Sequence, residues 1–437
     1  MLPPTFVFMA KNRGAEALGI SSFKPESLRG RAGFFRVGQT FAGQWWLLDP
    51  HNRPVFMKAV AAVNRYGRAG PPPEHRGAYA LAVEQRHGHE NIEGFSRVAQ
   101  QRLRSWDVNT LGPWAEPLLA GAGFCSTAVA DFRSAGVPVI HLHGVHLPDV
   151  FDPGWLGACE RRATEAVAPW VGRTDFIGYY TDDALGWGEV RADRPSLLQI
   201  CLSLEPGFFA YHAAWEFVLA PHAGDLAALA REWRVDLPNK EVIRQRTVAE
   251  RPLVAAGYLR DNERFTREFA HRYFTATAGA LRRHDADHLV LGCRFSQPTG
   301  DPVLVACVYP HVDVVSWHCH GPDFGSRANL YTVAQGMPLL LTAFGVSNER
   351  FRTAPFKLHS GPTRLERMLR DGRRALSEAC AHPAVVGYEW GRWADEADEA
   401  PPFGSGLVHV DDREAIEHTE LIAQINARAE RVHRRAA

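Results

Sequence analysis

Beyond residue 55 the chain alternates short, uniformly apolar runs with long amphipathic stretches, and this alternation limits the fold more than any other feature. The apolar runs lie at 55–63, 139–142, 176–181, 289–293, 312–317, 338–342 and 385–388. They are short and lack the polar-out alternation of a half-exposed strand, so they read as strands buried on both faces. Helical periodicity occupies 156–167, 225–233, 264–283 and 363–381, and Pro383 stops the last of these. Within 264–283, Phe265, Phe269 and Tyr273 recur at helical spacing and define one apolar side. Strand–helix alternation over about 350 residues predicts an α/β protein, a (β/α)8 TIM barrel. A doubly wound sheet is the alternative, but no glycine-rich phosphate loop follows the first strand.

Ahead of the barrel, residues 1–33 read as an N-terminal arm. Residues 34–57 read as a β-hairpin extension, with Trp45 to Leu48 and then Asp49-Pro50-His51-Asn52 as its turn chemistry. The expected organisation is therefore an arm followed by a single barrel domain over 34–437, hairpin included. Residues 70–73 and the charged stretch after them read as an exposed loop.

Several apolar runs end in polar residues: Asn64, His141 and His143, Asp182 and Asp183, Arg294, His318 and His320, and Glu389. Barrel enzymes place their chemistry at such strand ends. The formal net charge is zero, which gives no basic field for nucleic acid or an anionic membrane. The 12 Trp and 24 Phe suit either a large core or a sugar-binding surface, since aromatic faces pack on sugar C–H faces. Seven scattered cysteines do not form a disulfide framework, and no secretory leader or membrane span is evident. The default expectation is a cytoplasmic, reduced protein.

Six segments resemble, in order, the agarase family of glycoside hydrolases (family 50). They are Gln44-Trp45-Trp46-Leu47-Leu48-Asp49-Pro50, Asn109-Thr110-Leu111-Gly112-Pro113-Trp114, Pro148-Asp149-Val150-Phe151-Asp152-Pro153, Leu291-Gly292-Cys293-Arg294-Phe295, Asp313-Val314-Val315-Ser316 and Val386-Gly387-Tyr388-Glu389-Trp390. The resemblance runs from about Phe34 to Asp412. It implies a retaining barrel glycosidase acting on a β-linked galactose-like or related oligosaccharide, with no cofactor and no metal.

Retaining hydrolysis needs two carboxyl groups, a nucleophile and an acid/base, flanking the scissile bond. In the family these glutamates end strands four and seven. Here the matching segments are Thr181-Asp182-Asp183-Ala184-Leu185-Gly186-Trp187 and Leu341-Thr342-Ala343-Phe344-Gly345. The resemblance therefore puts Ala184 at the acid/base position, Ala343 at the nucleophile position, and Asp183 where the family has asparagine. Either glutamates were substituted by alanine at both positions, or the chain is a natural pseudoenzyme that binds sugar without cutting it. A third reading is a shifted site using Asp182, Asp183, Glu349 or Glu389.

The candidate substrate-binding residues are Asn64, His143, Trp187, Arg294, Trp317, His318, His320, Glu389 and Trp390. A homo-oligomer is left open. The His141-Leu142-His143 and His318-Cys319-His320 pairs, with His146, also admit a metal-dependent barrel hydrolase as a less favoured alternative.

Overall fold

The computed structural model describes residues 18–188, 193–296, 300–320, 324, 328, 336–345, 364–395 and 404–436. Residues 1–17 of the expected arm, and Glu349, lie outside these.

Eight parallel strands form one curled sheet: Met57–Val60, Thr110–Leu111, Cys125–Val129, Phe176–Tyr180, Leu289–Val290, Val315–His320, Leu339–Gly345 and Val385–Trp390. Each pairs with its chain neighbour in the series, and the eighth pairs with the first through Gly387↔Met57 and Trp390↔Val60. The fifth and sixth meet through the bridge Phe295↔Trp317, with the His318 amide donating to the Phe295 carbonyl at 2.7 Å. The result is a TIM-like barrel. Gly178 allows the closest approach within it, because a Cβ there would stand 2.1 Å from the Leu289 carbonyl oxygen.

The pleat sorts side chains to two cores. Met57, Ala59, Ile177, Leu291, Val314, Leu340 and Val386 share the inner one with Phe35, Val37, Trp45 and Leu47. The latter four belong to the segment of antiparallel strands Arg36–Gln39, Trp45–Leu48 and Pro54–Val55 that precedes the first barrel strand. This sheet packs against the inner core, and the Trp45 amide donates to Pro383, just ahead of the eighth strand, at 2.7 Å.

The outer core lies under the helices. Ala256–His284 runs for 29 residues and buries Phe265, Phe269 and Tyr273 along one side. Its last turn carries Arg282, Arg283 and His284, which suit the negative end of the helix dipole. Ile92–Ser105 opens on Asn91, whose side chain accepts from the Gly94 amide at 2.8 Å.

Two expectations need correction. Val139–Leu142 is not a barrel strand. It pairs antiparallel with Val145–Pro148 in a separate three-stranded sheet completed by Gly186–Trp187. The third barrel strand is Cys125–Val129, whose small and polar Ser126 and Thr127 hide it from an apolar count. The expected loop at 70–73 and the charged residues 74–76 have neither helix nor strand and are mostly exposed, and the helix Ala78–His87, which buries Tyr79, Ala80 and Val83, follows them.

Candidate active site

At the carboxyl end of the fourth strand the chain turns through Thr181-Asp182-Asp183-Ala184. Asp182 is an anchor beneath the surface. It accepts from the Arg133 amide at 3.0 Å and from the Tyr273 hydroxyl, tying the loops after strands three and four to the long helix. Burial pushes its carboxyl up to about 7. The Arg294 amide donates to Asp182 and the Ala184 amide to Arg294, each at 3.1 Å, so the ends of strands four and five stay paired.

Arg294 is the centre of the site. Its buried guanidinium reaches Asp183 at 3.0 Å with Nη1 and Glu389 with Nη2. The Trp114 and Tyr180 rings lie 5.2 and 5.3 Å from it. His318 Nε2 completes the cluster 3.1 Å from the same Asp183 oxygen. Burial alone would raise the Asp183 carboxyl, but Arg294 and His318 outweigh it and hold the group down at about 2. Burial dominates at Glu389 and lifts it to about 7 against the pull of Arg294. Burial also lowers His318. One cation thus faces one firmly ionised carboxylate and one carboxyl that titrates near neutrality. Gly112 is obligatory beside them, since a Cβ there would lie 2.8 Å from Glu389 Oε2 and 2.9 Å from the Ala61 Cα.

The two alanines flank this cluster in unusual backbone. Ala184 is exposed with φ 52°, and Ala343 is half-buried with φ 46°. Left-handed conformation at a non-glycine residue is uncommon, and it collects at functional sites. At Ala343 it accompanies a register shift between Leu341 and Phe344 against the eighth strand. Gly391 follows closely, its amide donating to Phe344 at 2.6 Å and its missing Cβ leaving room beside the Ala343 carbonyl. The Ala343 amide lies against Glu389 and favours its ionised form.

No family model matches the chain. Beta-agarase A of Vibrio sp. (strain JT0107) is 23% identical over 342 residues, which cover 72% of this chain and 33% of that protein. Beta-agarase B of the same strain is 19% identical over 342 residues, covering 75% and 36%. The chain therefore spans about a third of the length of the curated relatives it matches. An exo-β-agarase structure superposes with a TM-score of 0.76 at 16% identity, covering 95% of this chain and 68% of the other. A second agarase structure gives 0.71 at 16% identity, with 95% and 67% covered. The fold is that of the agarases.

On this agarase fold, Ala184, Ala343, Asp183, Arg294, His318 and Glu389 gather at one end of the barrel, and the remaining sequence candidates do other work. Trp317 and Trp390 are buried in the outer core. Each neighbours an inward residue, His318 or Glu389, so the two-residue pleat turns it toward the helices. Trp317 stacks on Phe324 and Trp390 donates to the Ser405 carbonyl at 2.7 Å. Trp187 packs between Tyr273 and Phe274. As placed, none of the three offers a sugar-stacking face.

Asn64 spends its amide on the carbonyls of Arg68 and Trp114, at 2.9 and 2.7 Å, and its oxygen on the Tyr66 amide. His143 sits at the hairpin tip, 3.4 Å from Glu250. The backbone of His320 pairs with Gly345, while its side chain lies outside the described residues. No three His, Cys, Asp or Glu side chains form a metal-ligand set among the described residues.

Sequence reasoning passed over Trp114, Tyr180 and Gly112. Two of these stand inside the quoted Asn109-to-Trp114 motif, which was the available signal. The Asp149 motif is structural, because its buried carboxylate accepts from the Phe151 and Ala210 amides at 3.1 and 3.0 Å.

Proposed function

We propose that this chain is a carbohydrate-binding protein on a retaining glycosidase scaffold. It takes a β-linked galactose-like oligosaccharide over the strand ends and does not hydrolyse it as written. The observation that carries the reading is the pair of left-handed alanines at the ends of strands four and seven. Other non-glycine residues, Ala62 and Ala223 among them, are also left-handed, so the weight rests on the coincidence of this conformation with the two strand ends where the agarase-like pattern has its glutamates. In the agarase-like scheme, glutamates at positions 184 and 343 would be acid/base and nucleophile.

The carboxyls that remain do not replace them. Asp183 is ionised far below neutrality and has no proton to give. Asp183 and Glu389 both bind the one Arg294 guanidinium and cannot flank a glycosidic bond independently. Loss of a nucleophile costs roughly a millionfold in rate or more. Besides the alanines, Asp183, His318, His320 and Glu389 depart from the family pattern, and three of these, Asp183, His318 and Glu389, form one bonded network with Arg294, the His320 side chain lying outside the described residues. Such mutual accommodation favours a natural binding protein over two isolated substitutions.

The test is the double variant Ala184→Glu, Ala343→Glu, assayed beside the unaltered chain on β-galactosides and agarose-derived oligosaccharides. Binding by both proteins with turnover only by the variant is expected if the scaffold keeps its enzymatic geometry. Binding without turnover by either leaves the sugar-binding reading and removes the latent enzyme. A chain that binds no glycan refutes the proposal.

A further inference from the structure

The hairpin Val139–Leu142, Val145–Pro148 carries histidines that the central cluster does not use. His141 and His146 are cross-strand partners, and their rings stack at 4.7 Å with planes 19° apart. Arg133, in the same loop after the third strand, places Nη1 3.3 Å from His146 Nδ1. No carboxylate lies within ion-pair distance of Arg133 among the described residues, and its remaining guanidinium N–H groups have no protein acceptor there. A guanidinium donating to Nδ1 fixes the neutral His146 tautomer with its proton on Nε2, so that nitrogen is a donor too. It also occupies the lone pair that a metal would need. Burial, Arg133 and His141 all hold His146 below the ordinary imidazole value. The group as it stands is therefore a set of donors and positive charge without an anion.

Its position ties it to the site. His146 pairs directly with Gly186, two residues beyond Ala184. A Cβ at 186 would stand 2.0 Å from the Gly144 carbonyl oxygen, so only glycine lets the hairpin approach this closely. Arg133 also donates its amide to Asp182, and its charge favours ionisation of Asp183.

We propose that Arg133, His141 and His146 form an anion subsite on the Ala184 side of the barrel mouth, selecting an oligosaccharide that bears a sulfate ester or a carboxylate. The planar fork of arginine suits either oxyanion, with imidazole N–H groups completing the set. This inference rests on the sugar-binding reading and adds a charged substituent to the ligand.

Calorimetric titration of the unaltered chain tests it with three probes. These are a neutral β-linked galactose tetrasaccharide, the same tetrasaccharide with one sulfate ester, and a tetrasaccharide with one uronic acid. At least one anionic probe should bind about tenfold tighter than the neutral one, and added salt should erode the difference. Arg133→Gln and His146→Gln should each lower the anionic-to-neutral affinity ratio by about tenfold. Arg133→Gln keeps the backbone bond to Asp182, and a thermal melt checks that both variants fold. Which anionic probe is preferred separates sulfate from carboxylate. Equal affinity for all three probes, or a preference unchanged in both variants, overturns the subsite while leaving sugar binding intact. Failure of every probe to bind overturns the sugar-binding reading as well.

Discussion

The two ends of the barrel pair their carboxylates in different ways. Where the strands begin, carboxylates have dedicated partners. Arg282 holds both Asp313 oxygens at 3.0 Å, and Asp313 also accepts from the Val290 amide. Arg173 grips Asp175 with two bonds of 2.9 and 2.7 Å. His288 bridges Asp285 and the Arg173 carbonyl. Where the strands end, two carboxyls share Arg294, and Arg294 Nε, Glu389 Oε2 and Thr342 Oγ1 are buried with no hydrogen-bonding partner among the described residues. Unsatisfied buried groups cost stability and occur elsewhere too, at Ser126 Oγ, Arg36 Nε and Trp46 Nε1 for example, so what sets the strand ends apart is that two of them belong to one ion cluster. The end where carboxylates are paired one to one carries stability, and the end where two share a single cation is the end at which barrel enzymes meet their ligands.

The largest expected effect comes from removing the hub. Arg294→Met leaves two carboxyls without their common cation and should lower unfolding free energy by about 3–5 kcal/mol in urea titrations. Adding Glu389→Gln should recover part of that loss. A strictly additive double variant would show that the cluster is not a coupled unit.

The pH dependence should be next in size. Asp182 and Glu389 both titrate near 7 in the folded chain, above the ordinary carboxyl values of 3.8 and 4.5. Groups raised in this way stabilise the fold while protonated, so their contribution is complete below about pH 4 and declines as pH rises through 7. Asp183 has the opposite sign: its contribution is present above 3.8 and is lost as pH falls toward 2. Asp182→Asn should therefore flatten the decline between pH 4 and 7 by roughly 1–4 kcal/mol. An unchanged slope would mean that Asp182 is ionised in the folded state throughout.

The contrast also explains what could be read in advance. Strands one and four to eight announced themselves because each lies in or overlaps an apolar run, whereas Thr110–Leu111 and the polar Cys125–Val129 carried too little pattern. Val139–Leu142 looked like a barrel strand because an apolar run does not reveal which partner it will pair with. Asp183, Arg294, His318 and Glu389 were legible as polar residues at strand ends. Trp317 and Trp390 were misread because adjacent positions on a strand face opposite ways, so a motif points to a place without saying which side its neighbours face. Trp114 was missed for a related reason. Its value comes from the Arg294 guanidinium beside it, contributed from 180 positions along the chain.

Gly112→Ala is a narrower probe of the same end. The new methyl would crowd both Glu389 and the Ala61 backbone, with an expected cost of about 1–3 kcal/mol. A neutral result would mean that Glu389 swings away without loss, and the cluster would then be looser than its burial implies.

The smallest effect bears most directly on the alanines. At a buried residue in ordinary helix, such as Ala163, replacement by glycine should destabilise by about 1–2 kcal/mol through backbone entropy and the loss of a packed methyl. At Ala184 and Ala343 the left-handed backbone reverses the sign. Glycine relieves strain of about 1 kcal/mol or more there, which meets or exceeds its entropic cost. Ala184→Gly and Ala343→Gly should therefore be neutral or stabilising by up to about 1 kcal/mol in thermal melts. A clear loss at either position would show that the conformation is relaxed, and that alanine suits the turn for its own sake. A gain at both would mean that the barrel still imposes at these two positions a geometry that alanine does not need.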